Sequence, residues 1–330
     1  MSGNRQLSRR NFWRWCVAGA PIVGGSPAAG GSGSGKSRVV IARDPGLRGA
    51  SGAAPDSDRL LKLLDRAVQS VYDRDTPTEA WRQVVRPGEV VGLKVNCLAG
   101  RGASTHVPLV EAICERLRQA GIPERNIIIW DRLNADLESA GFQVANRKQH
   151  VRCIGNDVDG YEPRLMVFGS VGSLVCKTLT RRCDVVINLP VLKDHSIAGV
   201  TIGLKNFFGA IHNPNKYHLN VGDPYVADVF MLPPIREKVR LTICDAITAE
   251  YHGGPSYMPQ WGWPYNGLIA SRDPVALDYT GWQIIEEKRA EKGMQSLAAL
   301  RREPTYIATA ADSRHRLGTC DPERIELVKV

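Results

Sequence analysis

The chain has 330 residues, is 43% hydrophobic and carries a formal charge of +9. That apolar fraction supports a sizeable core and excludes a wholly disordered chain. Four arginines and no acid fall within residues 1–31, so the remainder stands at only +5; with no basic stripe interleaved with aromatics, the sequence argues against nucleic-acid binding.

The first stretch, "SRRNFWRWCVAGAPIVGG", places twin arginines ahead of a short apolar run and small residues. Ser8 to Arg14 follow the Ser-Arg-Arg-x-Phe-x-basic order of a twin-arginine translocation leader, which predicts export to the periplasm and contact with that translocation machinery. The run Trp15 to Val23 is too short and glycine-rich to span a bilayer, so no stable membrane span is expected in the mature protein. "GGSGSGKS", Gly30 to Ser37, satisfies the phosphate-loop pattern letter for letter. Its context is wrong, because that loop joins a strand to a helix and here a strand-like segment follows it. Residues 1–37 therefore read as leader and linker, and 38–330 as the folded part.

Past the linker, strand and helix periods alternate. Arg38 to Ala42 reads as a strand, and residues 57–73 place Leu60, Leu64, Val68 and Val71 on one helical face, capped by Asp56 or Ser57. "EVVGLKVN" is a continuous apolar strand, "HVPLVEAICERLRQAG" an amphipathic helix and "NIIIWD" a further strand. A short helix over Leu133 to Ala140 and a strand near Val151 to Ile154 follow; Leu174 to Arg181 is expected to be helical. "CDVVINLPV" and "EKVRLTICDAI" are buried strands, with a helical Gly203 to Ile211 between them. Asp273 caps a last helix that starts at Pro274 and is expected to bury Val275, Tyr279, Trp282 and Ile285. The alternation predicts an α/β fold, a doubly wound and mostly parallel sheet, either continuous or divided into lobes 38–183 and 184–330 around a cleft.

In such sheets ligands bind beyond the carboxyl ends of the strands. Lys94 and Asn96, Asp131, Asn188 and Asp245 stand there. The densest stretch is "LKDHSIAGVTIGLKNFFGAIHNPNKYH", whose His195, Lys205, His212 and His218 are too irregularly spaced for one solvated helix face. Apolar neighbours would desolvate Lys205 and lower its pKa, as in a nucleophilic or cofactor-bearing lysine. The imidazoles offer nitrogen to a transition metal or a proton relay, and Lys193, Lys205 and Lys216 favour a carboxylate or phosphate ligand. His106 reads as a helix cap or surface residue, and His150 and His315, set among charged residues, as solvated surface. The cysteines show no clustered spacing, which argues against an iron–sulfur or zinc ribbon site; most sit in apolar runs as buried small hydrophobes.

"VGLKVN", "STHVPLVEAI", "IIIWDR", "DVVINLPVLKDHSIAGVTIGLKNFFGAI", "HNPNKYH" and "SRDPVALD" together resemble the domain of unknown function 362 family, whose members include twin-arginine-exported proteins and some with appended ferredoxin-type clusters. The order His195, Ala198-Gly199, Lys205 and a further His is similar to the nickel-pincer lactate racemase family. That likeness implies Lys205 as the cofactor attachment point, His195 as a proton-transfer base and His218 as the nickel ligand; His212, in the same stretch, is a further candidate metal ligand. Lys94, Asn96, Asn188 and Asn206 would line the cofactor. Gly203-Leu204 replaces those enzymes' Gly-Gly, and Trp130-Asp131-Arg132 their Thr-His-Arg, leaving Asp131 as the second proton-carrying group. The expected function is binding of a transition metal or nickel-pincer-like cofactor and proton or hydride transfer on a small anionic substrate, as in an isomerase or oxidoreductase. The alternatives are a non-catalytic periplasmic binder of metal or anion, and an iron–sulfur-linked redox protein.

Overall fold

Apolar runs of four to five residues dictate the centre of the fold. A computed structural model describes residues 35–48 and 54–330. The expected leader and nearly all of the linker lie outside them.

The elements run β1 (Ser37–Arg43), α1 (Ser57–Tyr72), α2 (Pro77–Val84), β2 (Val91–Lys94), α3 (Val107–Gln119), β3 (Ile127–Asp131), α4 (Asn134–Ala140) and β4 (Arg152–Gly155). Then follow α5 (Asn156–Asp159), β5 (Met166–Phe168), β6 (Val171–Ser173), β7 (Val185–Asn188), β8 (Val191–His195) and β9 (Gly199–Thr201). The last part comprises α6 (Tyr225–Phe230), α7 (Pro233–Arg236), β10 (Val239–Glu250), β11 (Gly262–Trp263), β12 (Gly267–Ser271), α8 (Pro274–Glu291), α9 (Tyr306–Ala311) and β13 (Ile325–Lys329).

Eleven strands make one sheet, with the main order β13-β1-β12-β10-β7-β2-β3-β4 and β8, β9 and β11 attached beside β10. β2, β3, β4, β7 and β10 are mutually parallel where they pair, and every residue of β2, β3 and β7 is buried. Burial on both faces is why these strands read as unbroken apolar runs rather than alternating ones. One face packs against α1 to α4 through Leu60, Trp81, Ile113 and Leu137; the other packs against α6 to α9 through Val229, Ile235, Ile285 and Ile307. This is the expected doubly wound α/β sheet, and it continues across the proposed lobe boundary, since β2 and β7 lie side by side.

Chain order reverses at β2: β3 and β4 follow on one side of it, β7 and β10 on the other. The carboxyl ends of β2 and β7 therefore border a topological switch point, where crossovers leave on opposite faces and open a crevice.

Several local expectations fail. β12 runs antiparallel to both neighbours. Leu174 to Arg181 is not a helix: Val175 and Cys176 form β-bridges with Ile211 and Tyr161, and only a π-helical turn remains over Thr178–Arg182. The hairpin β5–β6 and the helix α2 have no counterpart in the sequence reading. Along α8, Tyr279 and Trp282 are only partly buried, while Ala276, Leu277, Asp278, Thr280, Gly281 and Ile284 are buried beside Val275 and Ile285. His315 is buried, contrary to its reading as solvated surface; its Nε2 lies 3.0 Å from Asp228 Oδ1 and its Nδ1 2.8 Å from Asp312 Oδ1. His150 is exposed, as expected. Six of the described cysteines are buried free thiols, and Cys320 is partly buried.

Candidate functional site

Each strand at the switch point ends on a polar side chain. Lys94 closes β2, Asp131 closes β3 and Asn188 closes β7, and all three are buried. β8 then carries Lys193 and His195 out beyond β7, and the 3₁₀ turn Lys205–Ala210 brings Lys205 and Asn206 over them. That turn comes close because of its glycine: a Cβ on Gly209 would lie 2.9 Å from Asp131 Oδ1 and 3.1 Å from Lys94 Nζ. The start of the turn is fastened by Asp278 of α8, which accepts the Gly203 N–H at 2.7 Å and the Leu204 N–H at 3.0 Å.

Asn206 is the hub. Its Oδ1 accepts from Lys94 Nζ (3.3 Å) and Asn96 Nδ2 (3.0 Å), and its Nδ2 donates to Asn188 Oδ1 (2.8 Å). Lys94 Nζ also donates to Asp131 Oδ1 (2.7 Å) and to the Val95 carbonyl (2.5 Å). Asp131 receives further N–H groups from Cys97 (2.7 Å, on Oδ2) and Arg132 (2.8 Å, on Oδ1). Both of its oxygens are thus engaged, and it acts as the counter-ion of Lys94. From Asn96 the network passes to Lys193, whose Nζ donates to Asn96 Oδ1 (2.9 Å) and the Ala103 carbonyl (3.0 Å).

At the other end of this row, Lys205 Nζ stands 3.0 Å from His218 Nε2 and 4.4 Å from the centre of the Phe208 ring. His218 Nδ1 lies 3.1 Å from the Pro214 carbonyl oxygen, which can only accept. Nδ1 therefore carries the proton and Nε2 turns its lone pair to the amine. His195 stacks on His218, with ring centres 5.3 Å apart and planes at 25°. Its Nδ1 accepts the N–H groups of Ile197 (3.2 Å) and Ala198 (3.1 Å), so its own proton sits on Nε2. Burial, with Lys193 adding like charge, lowers Lys205 to about 7. Burial next to Lys205 and His218 pushes His195 down to about 2, and burial followed by Lys205 lowers His218. Both rings are uncharged near neutral pH, and the amine exchanges its proton there.

The structure thus gathers Lys94, Asn96, Asp131, Asn188, His195, Lys205, Asn206 and His218, which the sequence singles out from positions up to 124 apart. It does not bring His212 among them: that side chain is exposed, and its Nδ1 accepts the Leu174 N–H at 3.3 Å beside β6. Lys216 is also exposed, over the Tyr217 ring. Asp245 turns to His106, accepting its backbone N–H (2.7 Å) and facing its Nδ1 (2.9 Å). His106 occupies the N-cap position of α3 without capping it through its side chain. Among the described residues no three His, Cys, Asp or Glu side chains form a metal-ligand set. The donors therefore do not fit a metal held by protein ligands alone. Lys193, which the sequence offered only as part of an anion-favouring set, is a link in the network, and Glu250 at the end of β10 is 1% exposed and is pushed up by burial to about 7. Their alignment is a matter of register, Glu250 opposite Lys193. A separate groove of about 560 Å³ between α8 and β13, lined by Ile41, Tyr265, Ile284 and Leu327, contains none of these groups.

Among the described residues no helix is long and apolar enough to cross a membrane. A protein of Synechocystis sp. named "Thylakoid-associated protein" is 36% identical over 109 residues, 31% of this chain and 33% of that protein. The chain thus matches about a third of that relative's length. A crystal structure of a Thermotoga maritima protein superposes over 72% of this chain and 59% of that one, at 10% identity and a TM-score of 0.39, too distant to carry an argument. The family described as "Domain of unknown function (DUF362)" matches residues 91–283, more than half of the sequence, and the chain belongs to that family.

Proposed function

We propose that the chain binds a small organic anion at the carboxyl ends of β2, β7 and β8 and moves a proton at one of its carbon atoms. The observation that carries this reading is the pairing of Lys205 with His218 beside Lys193. Three lysines are buried in one row, and only Lys94 has a carboxylate ion pair among the described residues. A buried cationic surplus is costly unless a counter-ion arrives, and a carboxylate or phosphate supplies it. Lys205 has a pKa near neutral pH, so it can take a proton from carbon and return it, with the His218 Nε2 lone pair accepting from the ammonium so formed.

A nickel-pincer-like cofactor would use Lys205 and His218, the two groups that face each other, while the proton steps proposed here need only the chain's own side chains. Metal analysis and intact mass of the protein from its native host separate the two: a stoichiometric metal or a mass added at Lys205 replaces the amine mechanism. The full engagement of Asp131 favours a second reading, an anion binder without catalysis, because one expected proton carrier is committed to Lys94. Calorimetric titration with inorganic phosphate and succinate tests the binding itself. Wild type binds at least one of them and Lys205→Met binds it at least tenfold more weakly; equal binding by the two proteins overturns the site. Deuterium uptake at a substrate carbon, followed by NMR, then decides between catalysis and binding alone.

Export belongs to the same proposal, supported by the order Ser8 to Arg14. Replacing both Arg9 and Arg10 by Lys retains the protein in the cytoplasm if that reading holds, and periplasmic recovery of the variant refutes it.

A further inference from the structure

Glu250 is the last residue of β10 and the register partner of Lys193 on the parallel strand β8. Opposite charges at neighbouring strand positions ordinarily close an ion pair. Here they do not. Lys193 Nζ is turned to Asn96 Oδ1 and the Ala103 carbonyl, at 2.9 and 3.0 Å, and Glu250 turns Oε1 to the Met258 N–H at 2.7 Å. Glu250 Oε2 has no hydrogen-bond partner among the described residues, although the residue is 1% exposed. The neighbouring Asp194 is a second acceptor of like charge and brings it no donor; its own Oδ1 is held by Arg302 Nη2 at 2.6 Å.

The backbone packs closely beside this oxygen, as only a glycine allows. Gly254 is drawn in by the Ser196 N–H, which donates to its carbonyl at 2.7 Å. A Cβ on Gly254 would collide with the Asp194 carbonyl oxygen and come within 3.4 Å of Glu250 Oε2. A carboxylate oxygen excluded from water and left without a donor is unfavourable unless something brings one. Lys205 lies close enough to Lys193 for the charge of Lys193 to lower its pKa. Two buried lysines thus stand near one another, and at the strand position beside Lys193 lies a buried acceptor without a donor.

We propose that Glu250 Oε2 accepts a hydrogen bond from a hydroxyl or ammonium group of the ligand whose anionic group is held by Lys193 and Lys205. The ligand class is a small organic anion that also carries an X–H donor, and the inference rests on the anion-binding reading above. Burial pushes the free carboxyl up to about 7, and an approaching donor favours its charged form.

Calorimetric titration at pH 7 with succinate, malate and aspartate tests this, because the three share a dicarboxylate frame and differ in bearing no donor, a hydroxyl or an ammonium. Wild type is expected to bind malate or aspartate at least tenfold more tightly than succinate, equivalent to about 1.4 kcal/mol. Preference for aspartate assigns an ammonium, and preference for malate a hydroxyl. Glu250→Leu abolishes the preference without weakening succinate binding, an outcome that loss of a merely structural residue would not give. Glu250→Gln, which keeps a neutral acceptor, retains the preference for malate and loses that for aspartate, and it serves also if the Leu variant does not fold. Equal binding of the three anions by wild type, or a preference that survives in both variants, overturns the role of Glu250 and leaves the anion site standing. Failure of wild type to bind any of the three overturns the anion site and this inference with it.

Discussion

The two ends of the polar row neutralise charge differently. At the β2–β3 end, Lys94 has a carboxylate, a side-chain amide and a carbonyl around its amine, and Asp131 receives backbone donors on both oxygens. At the β8–β10 end, Lys193 and Glu250 are register partners that do not pair, and Lys205 has a neutral imidazole where Lys94 has Asp131. The groups are of the same kind, equally buried, and fixed by the same sheet. A buried charge whose valences are filled by its own chain holds the strands together; one left with a neutral partner is free to answer a ligand.

The most severe way to break this comparison is to remove a partner at the filled end. Lys94→Met leaves Asp131 as a buried carboxylate without its cation, and a loss of about 3–5 kcal/mol in unfolding free energy is expected. Adding Asp131→Asn recovers part of it, because the uncompensated charge disappears while Cys97 and Arg132 still find an acceptor. Urea denaturation of the single and double variants measures both. A loss below about 1 kcal/mol for Lys94→Met, the range of an ordinary surface change, would place Lys94 among the free cations instead.

The same substitution at the open end has the opposite sign. Lys205→Met removes an ammonium that burial disfavours and puts apolar volume against Phe208, so stability at pH 6 rises by about 1–3 kcal/mol while anion affinity falls. Destabilisation by the Met variant would show that Lys205 is held by its own chain as firmly as Lys94.

Protonation sharpens the contrast on a smaller scale. Lys205 titrates near 7 in the fold and at its ordinary 10.5 when unfolded, so the unfolded chain binds more protons between those values. Its contribution to stability is present above pH 10.5 and is lost as pH falls toward 7, at up to about 1 kcal/mol per pH unit. Glu250, near 7 in the fold and ordinarily 4.5, contributes stability below pH 4.5 that is lost as pH rises to 7. The stabilisation gained with Lys205→Met should therefore shrink as pH is raised from 7 to 10, and that gained with Glu250→Gln should grow from pH 4.5 to 7. Denaturation curves at four or five pH values, read as differences from wild type, show whether the two slopes have opposite sign.

Much of this arrangement was open to reading without coordinates. β2, β3, β7 and β10 are apolar runs because both faces are covered, and their polar last residues mark the strand ends where ligands gather in this architecture. The spacing of His195, Lys205 and His218 pointed to a convergence, which the 3₁₀ turns over 205–210 and 214–217 bring about. Pairings across the sheet were not legible. Lys193 meets Asn96 from 97 positions away, and Glu250 meets Lys193 only because β10 extends three residues beyond the expected Ile247. His315 was misread because its neighbours Ser313, Arg314 and Arg316 are those of a solvated turn, whereas the partner that buries it, Asp228, lies 87 residues earlier. The strands of β5–β6 have three residues each, too few to show a period.

The finest test separates the two nitrogens of His195. Nδ1 belongs to the filled kind of group, since it ends the β8 strand by accepting the Ile197 and Ala198 N–H groups. Nε2 carries the proton, and the ring stacks on His218 at the open end. Asparagine can present its carbonyl oxygen where Nδ1 stands, but offers nothing at the position of Nε2. His195→Asn should thus cost less than about 1 kcal/mol, within the range of a retained cap. His195→Leu, which keeps neither nitrogen, should lose about 1–3 kcal/mol because two backbone donors are stranded under a buried side chain. If the two variants are equally stable, Nδ1 holds nothing, and the division between filled and open groups does not extend to single atoms of one ring.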